Sequence, residues 1–168
     1  MVTSGTAAAR AVVAAVTDPE LPMLTLADLG ILRSVAEMAG QVVVTITPTY
    51  TACPAIQTMR QDITHALEQA GYPGAEVRTA LAPAWSSDWI TAEGRRKLAE
   101  AGIAPPGAVR GRPPGPIPLT LVPFESRVTC PLCGSPATEL VSEFGATACR
   151  SLRRCTACRE PFEHVKEI

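Results

Sequence analysis

The chain has 168 residues, 46% apolar and only 4% aromatic, and a formal net charge of −1. That length suits one domain or two small ones, with cores built from alanine, valine and leucine rather than rings. The near-neutral balance supplies no field toward nucleic acid or anionic lipid, and no apolar run approaches the roughly 18 residues of a membrane helix.

Met1 to Val16 holds a single charge, Arg10, and lacks a basic start followed by a leucine-rich run, so it does not read as an export signal. With six cysteines, four of them in CxxC spacing, the expectation is a soluble cytoplasmic protein whose thiols bind metal.

In chain order, residues 4–16 read as a helix with a weak apolar face at Ala7, Val12, Val13 and Val16, and Ser4 or Thr6 available to cap it. The segment 17–22 ends it, because Pro19 pushes Asp18 out of helical geometry. Residues 24–30 (LTLADLG) read as a short loop closed by Gly30. Strands over 31–38 and 42–47 follow, joined in a tight hairpin at Ala39-Gly40.

A helix over 54–70 places Ile56, Met59, Ile63, Ala66, Leu67 and Ala70 on one face and stops at Gly71. It begins at Pro54, a residue suited to the first helical position, which puts Cys53 at the N-cap. Residues 75–82 read as a third strand, and Ser87 or Asp88 caps a polar helix running to Ala101. The order helix, β-hairpin, helix, strand, helix predicts a small two-layer α+β domain over residues 1–103. Residues 104–123 form a linker, with six prolines and three glycines between Pro105 and Pro118. Within it Leu119 to Val122 is expected as a short edge strand.

Residues 124–168 are expected as a β-rich unit around two pairs, Cys130-Pro-Leu-Cys133 and Cys155-Thr-Ala-Cys158. Each pair presents two thiolates from one turn, and two such turns make a tetrahedral cage that suits structural zinc. The same thiolates also serve iron. Gly134 supplies the backbone freedom the first turn needs. The unit carries six basic and six acidic side chains, which weighs against a nucleic-acid surface. His164, six residues past Cys158, is a spare candidate ligand beside a full cage. Arg153, Arg154 and Arg159 read as a solvated face balancing the −2 charge of Zn²⁺ with four thiolates.

Cys53 is the other informative thiol, which reads either as a small buried apolar residue or, given the Cys-Pro helix start, as a reactive or metal-binding one. A helix N-terminus favours a thiolate there, and hydroxyls of Thr47, Thr49, Tyr50 and Thr51 surround it in sequence. His65, twelve residues on, is about 18 Å away along a helix axis and cannot serve as its base. Asp18 and Glu20 read either as a helix stop or as carboxylates lining the Cys53 site. Cys149 reads either as a thiol packed behind the ribbon hairpin or as a spare sulfur for cluster transfer.

Asp18-Pro19-Glu20, Leu29-Gly30-Ile31 and Thr51-Ala52-Cys53-Pro54 resemble the iron–sulfur assembly domain of SufT-like proteins, over residues 5–82. Further motifs look like the PaaD (PaaJ) family: Pro83-Ala-Trp85-Ser-Ser-Asp88-Trp89, Glu93 to Leu98, the turn at Cys130, Glu143 to Cys149, and Arg159 to Phe162. These are accessory subunits encoded with phenylacetyl-CoA epoxidase, a di-iron oxygenase served by a flavin and [2Fe–2S] reductase.

The resemblance implies a non-catalytic maturation factor with the oxygenase and reductase subunits as partners. Cys53 would be its functional thiol and Asp18 that thiol's neighbour, while Cys130, Cys133, Cys155 and Cys158 would form the zinc ribbon. A cluster usually needs four protein ligands, so any iron–sulfur cluster on Cys53 would be transient and completed by a client, a small thiol or a second protomer in a homodimer. The alternative is a scaffold subunit of the epoxidase complex without metal transfer.

Overall fold

A computed structural model describes residues 4–109 and 127–168. Most of the expected linker, the strand expected at Leu119 to Val122 and the start of the ribbon unit at Phe124 lie outside the described residues.

The first sheet has the order β1-β2-β3, from β1 (Leu32–Met38), β2 (Gln41–Ile46) and β3 (Glu76–Thr79). Strands β1 and β2 form the expected hairpin, with Met38 opposite Gln41. Ala39 and Gly40 both take positive φ, 52° and 77°, the two-residue turn whose twist matches that of the flanking strands. Strand β3 pairs in parallel with β2, so the intervening helix α2 (Ile56–Gln69) is a crossover that must lie on one face of the sheet. Val35, Val44 and Val77 are register partners across the three strands.

That helix buries Met59, Ile63 and Leu67, one residue per turn, against the sheet. The first helix, α1 (Ser4–Ala14), contributes Ala9 and Val13 to the same core. Its inner face is thus displaced from the expected Ala7. Burying each large aliphatic side chain stabilises the fold by about 2 kcal/mol.

Two helix starts differ from expectation. The cap of α2 is Ala55, not Cys53, because Pro54 and Ala55 form a turn before the helix begins at Ile56. Ser87–Trp89 forms a single 3-10 turn capped by Ser86, and α3 (Ala92–Glu100) starts afresh with Thr91, whose hydroxyl accepts from the Gly94 N–H. Lys97 of α3 then donates to Asp28 at 2.7 Å, fastening this helix to the loop before β1.

The second sheet has the order β4-β5-β6, from β4 (Thr138–Ser142), β5 (Arg150–Cys155) and β6 (Pro161–Val165), all antiparallel. It packs directly on the first unit. The Ala104 N–H donates to the Glu163 carbonyl at 2.8 Å, the Val165 N–H donates to the Ala104 carbonyl at 3.0 Å, and the Ser87 N–H donates to the Ile168 carbonyl at 3.0 Å. Val165 is buried in the core of the first unit. The molecule is α+β, with a β-rich cysteine-bearing end seated against the helical end.

Candidate metal centre and the Cys53 cavity

The two CxxC turns are built alike. The Cys130 N–H donates to the Ser135 carbonyl at 2.9 Å, and the Cys155 N–H donates to the Glu160 carbonyl at 3.0 Å. The residue after each pair takes positive φ, Gly134 at 73° and Arg159 at 68°. Glycine adopts this conformation freely and arginine does not, so only the first turn announces itself in sequence.

These turns bring the sulfurs of Cys130, Cys133, Cys155 and Cys158 within 4.8 Å of one another. Four sulfurs about 2.3 Å from a tetrahedral zinc stand about 3.8 Å apart. The Cys130–Cys158 and Cys133–Cys155 separations are 3.8 Å and 3.6 Å, so the donor set fits zinc. The Cys158 N–H also points at the Cys155 sulfur, 3.5 Å away, the kind of outer contact that steadies a thiolate ligand. Val128, Phe162 and Ala104 pack with Cys130 and Cys155 into a small core under the cage.

His164 is not in the four-sulfur group. It is buried on β6, with Nδ1 3.4 Å from the Ser151 hydroxyl and Nε2 3.5 Å from the Glu167 carboxylate. Of the three arginines expected on a solvated face, Arg154 and Arg159 are exposed but Arg153 is buried. Arg154 pairs with Glu139 on the neighbouring strand.

Cys53 is half-buried and lines a cavity of about 70 Å³ at the seam between the two units. Asp18, Glu20, Thr49, Tyr50 and Trp85 reach it from the first unit, and Thr147, Cys149 and Arg150 from the second. Thr47 and Thr51, the other hydroxyls near Cys53 in sequence, are not among its lining residues. His65 bonds Gln69 at 2.8 Å on the exposed side of α2.

Asp18 ends a turn and stands among the residues lining the cavity. Its Oδ1 accepts from the N–H groups of Glu20 (2.9 Å) and Leu21 (2.8 Å), which ends the turn after α1, and the carboxylate also lines the cavity. Burial pushes its pKa above the ordinary carboxylate value despite these two bonds.

Burial likewise pushes the Cys53 thiol up. The N–H groups of Ala55 and Ile56 oppose this, while Asp18 and Cys149 add to it. A depressed pKa at a helix N-terminus is therefore not what the fold provides: the thiol stands ahead of the helix cap in a largely apolar pocket.

The residues that sequence reasoning missed here are Trp85 and Arg150. Trp85 donates Nε1–H to the Leu29 carbonyl at 2.9 Å and walls the cavity. The Arg150 side chain, 7% exposed, pairs with Glu163 at 2.5 Å and approaches Glu20 at 3.8 Å. A buried arginine at the start of an alternating strand carries no local signature of a partner in the other unit.

Residues 6–82 match the family described as iron-sulfur cluster assembly protein, and residues 118–166 match the PaaD zinc beta ribbon domain. A protein of Escherichia coli (strain K12), whose name makes it one of the subunits of a 1,2-phenylacetyl-CoA epoxidase, is 42% identical over 158 residues, 94% of this chain and 90% of that protein. The crystal structure of a domain of unknown function, DUF59, from Bacillus anthracis is similar with a TM-score of 0.51 and 25% identity, covering 55% of this chain and 90% of that one. The chain belongs to the PaaD family, in which an iron–sulfur assembly domain is joined to a zinc ribbon.

Proposed function

We propose that this chain is a non-catalytic maturation factor of a phenylacetyl-CoA epoxidase in aerobic phenylacetate degradation. It takes iron or an iron–sulfur cluster as cargo at Cys53 and passes it to an oxygenase or reductase subunit in the cytoplasm. In this reading residues 1–103 are the assembly unit and residues 124–168 the zinc unit, with 104–123 between them. Asp18 and Cys53 handle the cargo, while the four ribbon cysteines hold zinc permanently.

The observation that carries the proposal is the contrast between the two sulfur sites. The ribbon sulfurs form a closed group of four. Among the described residues, Cys53 opens on a cavity without such a group, so a metal there is incompletely held and can leave. His65 lies on the exposed side of α2 with Gln69, which supports a role other than thiol catalysis.

The test is reconstitution of the epoxidase with the wild-type chain, with Cys53→Ser, or with neither. Turnover, oxygenase iron content and the reductase's cluster absorbance are measured. Cys53→Ser is expected to fall to the level without the chain, and full activation by this variant would end the proposal.

A scaffold role is the second reading, favoured by the exposed Leu140, Val141 and Phe144 on and beside the outer strand of the ribbon. Under it, the subunits would acquire their metals normally without this chain but fail to co-purify. A nucleic-acid role finds little support in the ribbon, where Arg150 and Arg154 are paired with Glu163 and Glu139. Among the described residues no helix is long and apolar enough to cross a membrane.

A further inference from the structure

Cys53 and Cys149 belong to different units, yet both line the one cavity at their seam, and Asp18 lines it with them. We propose that Cys149 is the second sulfur of the Cys53 site, and that the two thiols together hold a ferrous ion or the edge of an iron–sulfur cluster. The inference rests on the cargo reading above and deepens it, since it makes the ribbon a contributor of a ligand rather than a remote anchor.

Three observations carry it. First, the cavity of about 70 Å³ is several times the roughly 10–15 Å³ needed to admit one water, so an ion with a small exogenous ligand has room. Second, the donor set is chemically coherent. Two thiols suit a borderline-soft ferrous ion, and they leave the shell short by about two ligands, which a client or small thiols can supply.

Third, Cys149 is placed by contacts that hold its loop at the seam. Thr147 Oγ1 lies 3.1 Å from its sulfur, the Lys166 N–H donates to its carbonyl at 3.0 Å, and Arg150 Nε donates to Thr147 at 3.0 Å. Arg150 also approaches Glu20 beside the cavity, bringing positive charge to a site that would gather two thiolates. The loop is thus tied to the cavity from both units.

Binding exchanges protons and not electrons. Two S–H bonds break, two S–Fe bonds form, the two protons leave to solvent, and the ion stays ferrous.

The test uses the full-length, zinc-loaded protein under anaerobic conditions, with ferrous ion as the probe. Iron affinity, the number of sulfur neighbours from iron X-ray absorption, and protection of each thiol from iodoacetamide are measured for wild type, Cys149→Ser, Cys149→Ala and Cys53→Ser. Two sulfur neighbours are expected in the wild type and one in either Cys149 variant, with iron binding weakened about tenfold or more. Added iron is expected to shield Cys53 and Cys149 together in the unmodified protein, a readout that needs no variant to fold.

The proposal is overturned if the Cys149 variants keep wild-type affinity and sulfur count, or if iron shields Cys53 while Cys149 still reacts. In either case the cargo reading survives on Cys53 alone. If Cys53→Ser also binds iron like the wild type, that reading fails with it.

Discussion

Arg150 on β5 reaches Glu163 at 2.5 Å on its own sheet and stands 3.8 Å from Glu20 in the loop after α1. One guanidinium thereby spans the seam on which the Cys53 cavity lies. Truncating it leaves the Glu163 carboxylate without its cation and removes the side-chain bond to Thr147, so the loop bearing Cys149 loses one of its tethers. Arg150→Ala is expected to destabilise the protein by about 2–3 kcal/mol, below the full value for a buried pair because Glu163 is partly exposed. Urea denaturation gives the loss, and a double-mutant cycle with Glu163→Gln isolates the pair from the lost packing.

The Cys53 thiol should be sluggish at neutral pH. Its pKa is raised first by burial, with Asp18 and Cys149 adding to the shift, so less thiolate is present at pH 7 than in a free cysteine. Iodoacetamide labelling in the metal-free cavity is expected to climb through pH 9 and beyond. Asp18→Asn removes one source of the shift and should speed labelling at every pH between 7 and 9.

The same substitution reports on the fold. The Asp18 pKa is raised, so its carboxylate is penalised in the folded state, and stability is lost as pH rises from 3.8 through the raised value. Asparagine keeps an oxygen for the Glu20 and Leu21 N–H groups and carries no charge. Asp18→Asn is thus expected to melt above the wild type at pH 7 and together with it at pH 3. A lower melting temperature at pH 7 would show that the carboxylate is worth more to the turn than its burial costs.

How much of this was legible in the sequence depends on the range of each signal. The apolar period of Met59, Ile63 and Leu67, the Ala39-Gly40 turn and the CxxC pairs act within a few residues, and each stands in the structure where the pattern implied. Helix starts were less legible, since Pro54 fits both a first helical turn and the tight turn before one. That Cys53 and Cys149 line one cavity had no local signal. They are 96 residues apart (149 − 53), and they are brought together by backbone bonds between Ala104 and β6 that hydrophobic periodicity cannot encode.

Zinc should govern the ribbon and spare the first sheet. Among the described residues, the small core under the cage holds Ala104, Val128 and Phe162 besides cysteines, too little to fold three short strands without metal. Structural zinc supplies on the order of 10 kcal/mol to small modules of this kind at neutral pH. Chelation, or Cys155→Ser, is expected to release about one zinc per chain and to erase the amide dispersion of residues 138–165. The amides of β1, β2 and α2 should keep theirs. Metal analysis alongside a two-dimensional amide spectrum checks both halves.

The likeness of the two cysteine turns yields a stabilising variant. Gly134 and Arg159 sit at the same position of equivalent turns, with φ of 73° and 68°. A left-handed conformation costs a residue with a Cβ about 1 kcal/mol relative to glycine, whose own freedom in the unfolded chain offsets part of the gain. Arg159 is exposed, so the substitution disturbs no packing. Arg159→Gly is expected to raise ribbon stability by about 0.5 kcal/mol, read as slower zinc loss to a chelator, whereas Gly134→Arg should speed that loss. Opposite effects at the two positions would show that the turns share one backbone requirement, met by glycine in one and imposed on arginine in the other.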